Sequence, residues 1–103
     1  MPKRTDRNQC EIVMALRAMG ASVTPTHTIG HGFPDLAIGF HGVTLLAEVK
    51  NGKAGLTPDE QAWHAAWRGQ VCILRTVDDV ARLIDAMSPI IALAGGGEHG
   101  ARL

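Results

Sequence analysis

Three charged residues stand where two apolar runs meet their ends. Leu36, Ala37, Ile38 and Phe40 form the first run, and Val43, Leu45, Leu46, Ala47 and Val49 the second. Gly39, His41 and Gly42 supply a tight turn between them, since glycine enters positive φ without steric penalty. Asp35 opens the first run; Glu48 and Lys50 close the second. Burying a charge is unfavourable unless it is paired or holds a metal. Glu48 and Lys50 are two apart, so on a strand both project from one face. A hairpin folded at His41 also brings Asp35 near Glu48. Two carboxylates and a lysine on one sheet face make a hard-cation site with a fixed positive charge beside it. The near-continuous hydrophobicity of both runs predicts a sheet covered on both faces.

The flanking segments supply the frame. A helix starts at Thr5 or Asp6, either residue serving as N-cap, and stops at Gly20. Cys10, Val13, Met14 and Arg17 share one helical spacing and Ile12, Leu16 and Met19 the adjacent one, which predicts a wide apolar stripe. Glu11 lies among them, where a first-turn carboxylate is favoured by the positive helix end. Val23, Thr24, Thr26 and Thr28 suit a strand, which Pro25 demotes to an edge or to two short pieces. The glycines of Ile29-Gly30-His31-Gly32-Phe33 predict a loop close to another backbone or a ligand. After the flexible stretch Asn51 to Gly55, Thr57-Pro58-Asp59-Glu60 is a capping-box helix start. That helix runs to about Arg68 and ends at Gly69, with Trp63 and Trp67 paired in the core. Val71 to Leu74 is a short buried strand, parallel to an earlier one because a helix precedes it. Asp78 and Asp79 open a last helix striped by Val80, Leu83, Ile84 and Met87, ending before Ser88-Pro89. Ile90 to Leu93 reads as a short apolar segment, followed by a loose glycine-rich tail over about 94–103.

A chain of 103 residues makes one small domain, with a basic arm over about 1–5. Ten basic side chains balance ten acidic ones, so no overall positive field announces nucleic acid; a local patch must serve instead. The N-terminus lacks the apolar core of a signal peptide, and no apolar run reaches membrane-spanning length. Cys10 and Cys72 read as buried, reduced residues of a cytoplasmic protein. His27, His31 and His41 lack the spacing of a zinc site. Gly52-Lys53 is no phosphate-binding P-loop, because Ala54 stands where Ser or Thr is needed.

Pro34-Asp35 followed by Glu48-Val49-Lys50 resembles the PD-(D/E)xK nuclease superfamily. The wider pattern is Gly32-Phe33-Pro34-Asp35-Leu36, Glu48-Val49-Lys50, Leu56-Thr57-Pro58, Gln61 and Gly69. It resembles the stand-alone VRR-NUC domains of phages and bacteria over roughly residues 8–86. The resemblance implies an α/β fold with a restriction-endonuclease-like core, α-β-β-β-α-β, a mixed central sheet flanked by helices, and a C-terminal helix. It implies a Mg²⁺- or Mn²⁺-dependent DNA endonuclease of bacterial or phage-infected cytoplasm, acting in repair, recombination or phage DNA processing. Asp35 and Glu48, with the Val49 carbonyl, would hold the cation, and Lys50 would stand beside the attacking water. Gln61 would orient Lys50 or that water, and Glu11 would complete the metal site through a water. Lys3, Arg4, Arg7, His31, Lys53 and Arg68 are the candidates for contacts to DNA phosphates. The expected assembly is a two-fold homodimer joined through the last helix or the Ile90, Ile91 and Leu93 strip.

Two other classes fit the same residues. One is a catalytically silent nucleic-acid-binding or assembly subunit of the same fold. The other is an interaction domain in which Asp35, Glu48 and Lys50 form a structural salt bridge. Metal-dependent cleavage of a panel of DNA substrates separates all three.

Overall fold

A computed structural model describes the backbone of residues 4–95 and the side chains of residues 7–87. In chain order it comprises α1 (Arg4–Ala18), β1 (Ser22–Pro25), a 3-10 turn (His27–Ile29), β2 (Leu36–Phe40) and β3 (Val43–Val49). These are followed by α2 (Pro58–Ala66), β4 (Val71–Leu74) and α3 (Val77–Gly95). The strands lie in the order β1-β2-β3-β4. The first two pairings are antiparallel, and β4 joins β3 in parallel after the α2 crossover. This is a restriction-endonuclease-like α/β arrangement with a mixed sheet flanked by helices.

The sheet has two unlike faces. Leu36, Ile38 and Phe40 oppose Ala47, Leu45 and Val43 across the hairpin. With Leu74 they form the buried face, packed against Ile12, Val13 and Leu16 of α1 and Val80 and Met87 of α3. Fully burying a side chain of this kind contributes roughly 1.5–3 kcal/mol, so this layer holds the fold together. Alternation along β3 sends Thr44, Leu46 and Glu48 to the opposite face. Thr44 is exposed and Leu46 half-buried, whereas Glu48 is buried. The expectation of two covered faces is thus corrected. α2 has nine residues, a length of about 14 Å, and cannot span the hairpin; it covers only the Glu48 end.

The local signals explain most boundaries. α1 ends on a Schellman motif: Gly20 takes φ 98°, its N–H reaches the Arg17 carbonyl at 3.0 Å, and the Ala21 N–H reaches Leu16 at 3.0 Å. The turn between β2 and β3 is the pair His41-Gly42, both at positive φ, the type I′ pattern. Gly39 belongs to β2 instead. Pro25 closes edge strand β1, and the chain turns at once into the 3-10 segment. At α3, the Thr76 hydroxyl accepts from the Asp79 N–H, while the Asp79 carboxylate accepts from the N–H groups of Thr76 and Arg75.

Other expectations need correction. Cys10 is exposed, because α1 turns Ile12, Val13 and Leu16 inward and leaves Cys10 and Met14 outside; the stripe is narrower than its composition suggests. Trp63 and Trp67 do stack, with centroids 4.6 Å apart, but Trp67 is 42% exposed and lies outside the core. α3 does not stop before Ser88-Pro89 but continues to Gly95. Pro89 removes a single N–H from the helical ladder, and the residues after it carry the helix on. The side chains of Ile90, Ile91 and Leu93 lie outside the described residues. Among the described residues, no helix is long and apolar enough to cross a membrane.

Candidate active site

Asp35 is set by the backbone before β2. The Thr26 hydroxyl donates to the Pro34 carbonyl and the Thr26 N–H to the Asp35 carbonyl, each at 2.7 Å. This anchors the residue on edge strand β1. Its carboxylate Oδ2 then accepts the Val49 N–H at 2.8 Å, tying the first carboxylate to the segment that carries the second.

Glu48 is the one buried charged residue among those described, 1% exposed, on the face that α2 covers. Burial pushes its pKa from 4.5 up to about 9, reinforced by a hydrogen bond to Asp35 and by the charges of Asp35 and Glu60, against the pull of Lys50. The neighbouring carboxylate thus favours the protonated form of Glu48. His64 of α2 sits above Glu48, with Nε2 3.5 Å from Oε1. The two atoms make no hydrogen bond at that separation.

Lys50 is fixed at both ends. Its N–H donates to the Leu74 carbonyl at 3.1 Å, and its own carbonyl accepts from the Asn8 side-chain amide at 3.1 Å. Asn8 also reaches the Arg75 carbonyl, so α1 bridges the ends of β3 and β4. The Lys50 ammonium lies 2.6 Å from Glu60 Oε1. The same oxygen accepts the Thr57 N–H at 2.8 Å, completing the capping box of α2. Burial opposes ionisation of Glu60, but hydrogen bonds from Lys50 and Thr57 outweigh it and hold its pKa below the ordinary value. The helix start and the lysine are therefore ordered by one carboxylate.

α2 is seated by the loop that precedes Asp35. Gly32, at φ 81°, lies so close that a Cβ there would meet the Asp59 carbonyl oxygen at 2.4 Å. Phe33 meets Trp63 edge-on, with centroids 5.1 Å apart. Of the two loop glycines, Gly32 thus marks a close backbone approach, made to α2, whereas a Cβ at Gly30 would meet open space.

Among the described residues, the remaining candidates make no hydrogen bond or ion pair with the side chains of Asp35, Glu48 or Lys50. The Gln61 side chain is exposed and donates to the Leu56 carbonyl at 3.0 Å. Glu11 is exposed on α1, three residues beyond Asn8. Arg7, Lys53 and Arg68 are exposed. His31, at φ 55°, lines a surface cavity of about 320 Å³ with Asp59, Ala62 and Trp63. Lys3 and the Arg4 side chain fall outside the described residues. Among the described residues, no three His, Cys, Asp or Glu side chains stand preassembled as a metal cluster. The donor set nevertheless fits a cation, because Glu48 Oε1 is buried without a hydrogen-bond partner beside a second carboxylate.

Three neighbours were missed from the sequence. Glu60 was absorbed by its capping role, although Glu60 and His64 at i and i+4 were a legible sign of one polar helix face. Arg75 carried no signal; its guanidinium donates to the Gly52 and Ala54 carbonyls and clamps the loop after Lys50.

The mixed sheet and its flanking helices define a restriction-endonuclease-like α/β fold. The similarity is specific in structure: a solved VRR_NUC domain superposes with a TM-score of 0.69, covering 82% of this chain and 97% of its own, at 24% sequence identity. The chain thus has the fold of a VRR_NUC domain. No family model matches the sequence, and no curated protein does.

Proposed function

We propose that this protein is a Mg²⁺- or Mn²⁺-dependent endodeoxyribonuclease selective for DNA structure, such as junctions or flaps. The observation that carries the reading is the Asp35–Glu48 contact, with Glu48 Oε1 buried and unpartnered on the face that also bears Lys50. Asp35, Glu48 and the Val49 carbonyl would hold the cation. When bound, it neutralises phosphate charge and acidifies a coordinated water. Lys50 would present its ammonium to the charge that develops on the attacked phosphate, and the ion pair with Glu60 holds that ammonium in place. Glu11 and Gln61 are proposed as outer participants reached through water. Arg7, Lys53 and Arg68 offer phosphate contacts, with Lys3, Arg4 and His31 as further candidates. A two-fold dimer would present one site to each strand of the substrate.

The test is incubation with labelled single-stranded, duplex, flap and four-way-junction DNA in Mg²⁺, Mn²⁺ and EDTA. Metal-dependent internal cleavage with a preference among the substrates is expected. Cleavage that persists after exhaustive chelation rejects the mechanism. Binding without cleavage in either metal replaces it with the silent-subunit reading.

A further inference from the structure

Glu48 Oε1 and His64 Nε2 are both shielded from solvent, and neither has a hydrogen-bond partner. They face one another across 3.5 Å. A buried polar atom without a partner is rare, and two converging on one point call for a common occupant. A water bonded to both at about 2.8 Å would subtend only about 77° between them, tighter than its tetrahedral preference. A first-row divalent ion bonded to both at about 2.1 Å would subtend roughly 110°, an ordinary ligand–metal–ligand angle. Asp35 also meets Glu48, and since Oε1 has no hydrogen-bond partner that contact is made to the other carboxyl oxygen. His64 is held on a rigid element: Trp63 beside it packs on Phe33, and Glu60 one turn earlier binds Lys50.

We propose that His64 is a further protein ligand, opposite Glu48, for the divalent cation of this site, and that its imidazole tilts selection toward Mn²⁺ and other first-row transition ions over Mg²⁺. Carboxylates suit Mg²⁺ and Ca²⁺ as well as Mn²⁺, whereas imidazole nitrogen suits transition ions. The inference rests on the cation site proposed above, but not on cleavage. It assigns Mg²⁺ the role of a weaker substitute rather than the preferred ion.

The test uses the full chain and two metals alone. Electron spin-echo spectroscopy of the Mn²⁺-loaded wild-type protein should show coupling to an imidazole ¹⁴N, and this readout needs no variant. Calorimetric titration should show Mn²⁺ bound more tightly than Mg²⁺. In His64→Gln the nitrogen coupling should vanish and Mn²⁺ affinity fall by about tenfold or more, while Mg²⁺ affinity changes far less. Thermal melting in EDTA checks that the variant is folded; should it not be, His64→Asn takes its place. Absence of ¹⁴N coupling in the wild type overturns the proposal, as does equal loss of both metals in a folded variant. A protein that shows the coupling yet cuts no DNA keeps the His64 site and loses the nuclease reading. One that cuts DNA in Mg²⁺ without the coupling does the reverse.

Discussion

At the residue scale, Glu48 governs the site. Its raised pKa means the metal-free folded chain holds a proton that the unfolded chain releases near pH 4.5. The folded state therefore binds more protons between pH 4.5 and about 9, and its stability declines as pH rises across that window. Denaturant titrations in EDTA should show this decline, and Glu48→Gln should flatten it. In the proposed site a cation would displace the proton on Glu48, so Mn²⁺ binding at pH 7 should release protons, measurable by calorimetry in buffers of different ionisation enthalpy. For activity, Asp35→Asn, Glu48→Gln and Lys50→Ala should each lower cleavage by about 10²-fold or more without unfolding the chain. A wild-type rate in any one of them at saturating Mg²⁺ removes that residue from the mechanism. These three residues were readable from the sequence because charges inside apolar runs need an explanation. For Glu60 and His64 the spacing tells only of a shared helix face; where that face points depends on how α2 is rotated over the sheet, which only tertiary packing decides.

At the scale of elements, α2 is the cover of the site. It covers one end of one sheet face and has no buried residue of its own. Its seat is the Gly32 approach, the Phe33–Trp63 ring pair and the Lys50–Glu60 ion pair. Gly32→Ala adds a methyl group against the Asp59 carbonyl at a positive φ, and should destabilise the protein by about 1–3 kcal/mol in chemical denaturation. It should also depress activity more than stability, because displacing α2 withdraws Glu60 from Lys50. Element order and the parallel β4 were legible from periodicity and capping residues. The open half of the second face was not, since hydrophobicity along a strand does not report the length of the helix that covers it. The passage of α3 through Pro89 was also hidden, because a proline signals the loss of one hydrogen bond and not whether the rest of the helix survives it.

At the scale of the whole molecule, neutrality overall is compatible with a local path for DNA. Arg7, Lys53 and Arg68 are exposed on three different segments. Replacing two of them with alanine should lower the slope of log K against log salt by nearly two, at about 0.9 for each phosphate that is no longer neutralised. An unchanged slope would move the DNA path to another surface. Sedimentation at micromolar concentration tests the proposed dimer. A monomer that still makes paired cuts on a four-way junction would show that the spacing of the cuts does not come from a preformed pair of sites.

The alternation of β3 has a genetic consequence. Every odd-numbered residue from Val43 to Ala47 faces the core, and Glu48 faces the site. Deleting one residue inside Val43–Ala47 reverses this parity for everything downstream, because the two-residue turn cannot shorten to absorb it. Glu48 and Lys50 would then point into the apolar layer and Val49 into the site. Removing two residues preserves parity. In a deletion library across this strand, even-length losses should therefore yield some soluble protein, while odd-length losses should yield none that folds.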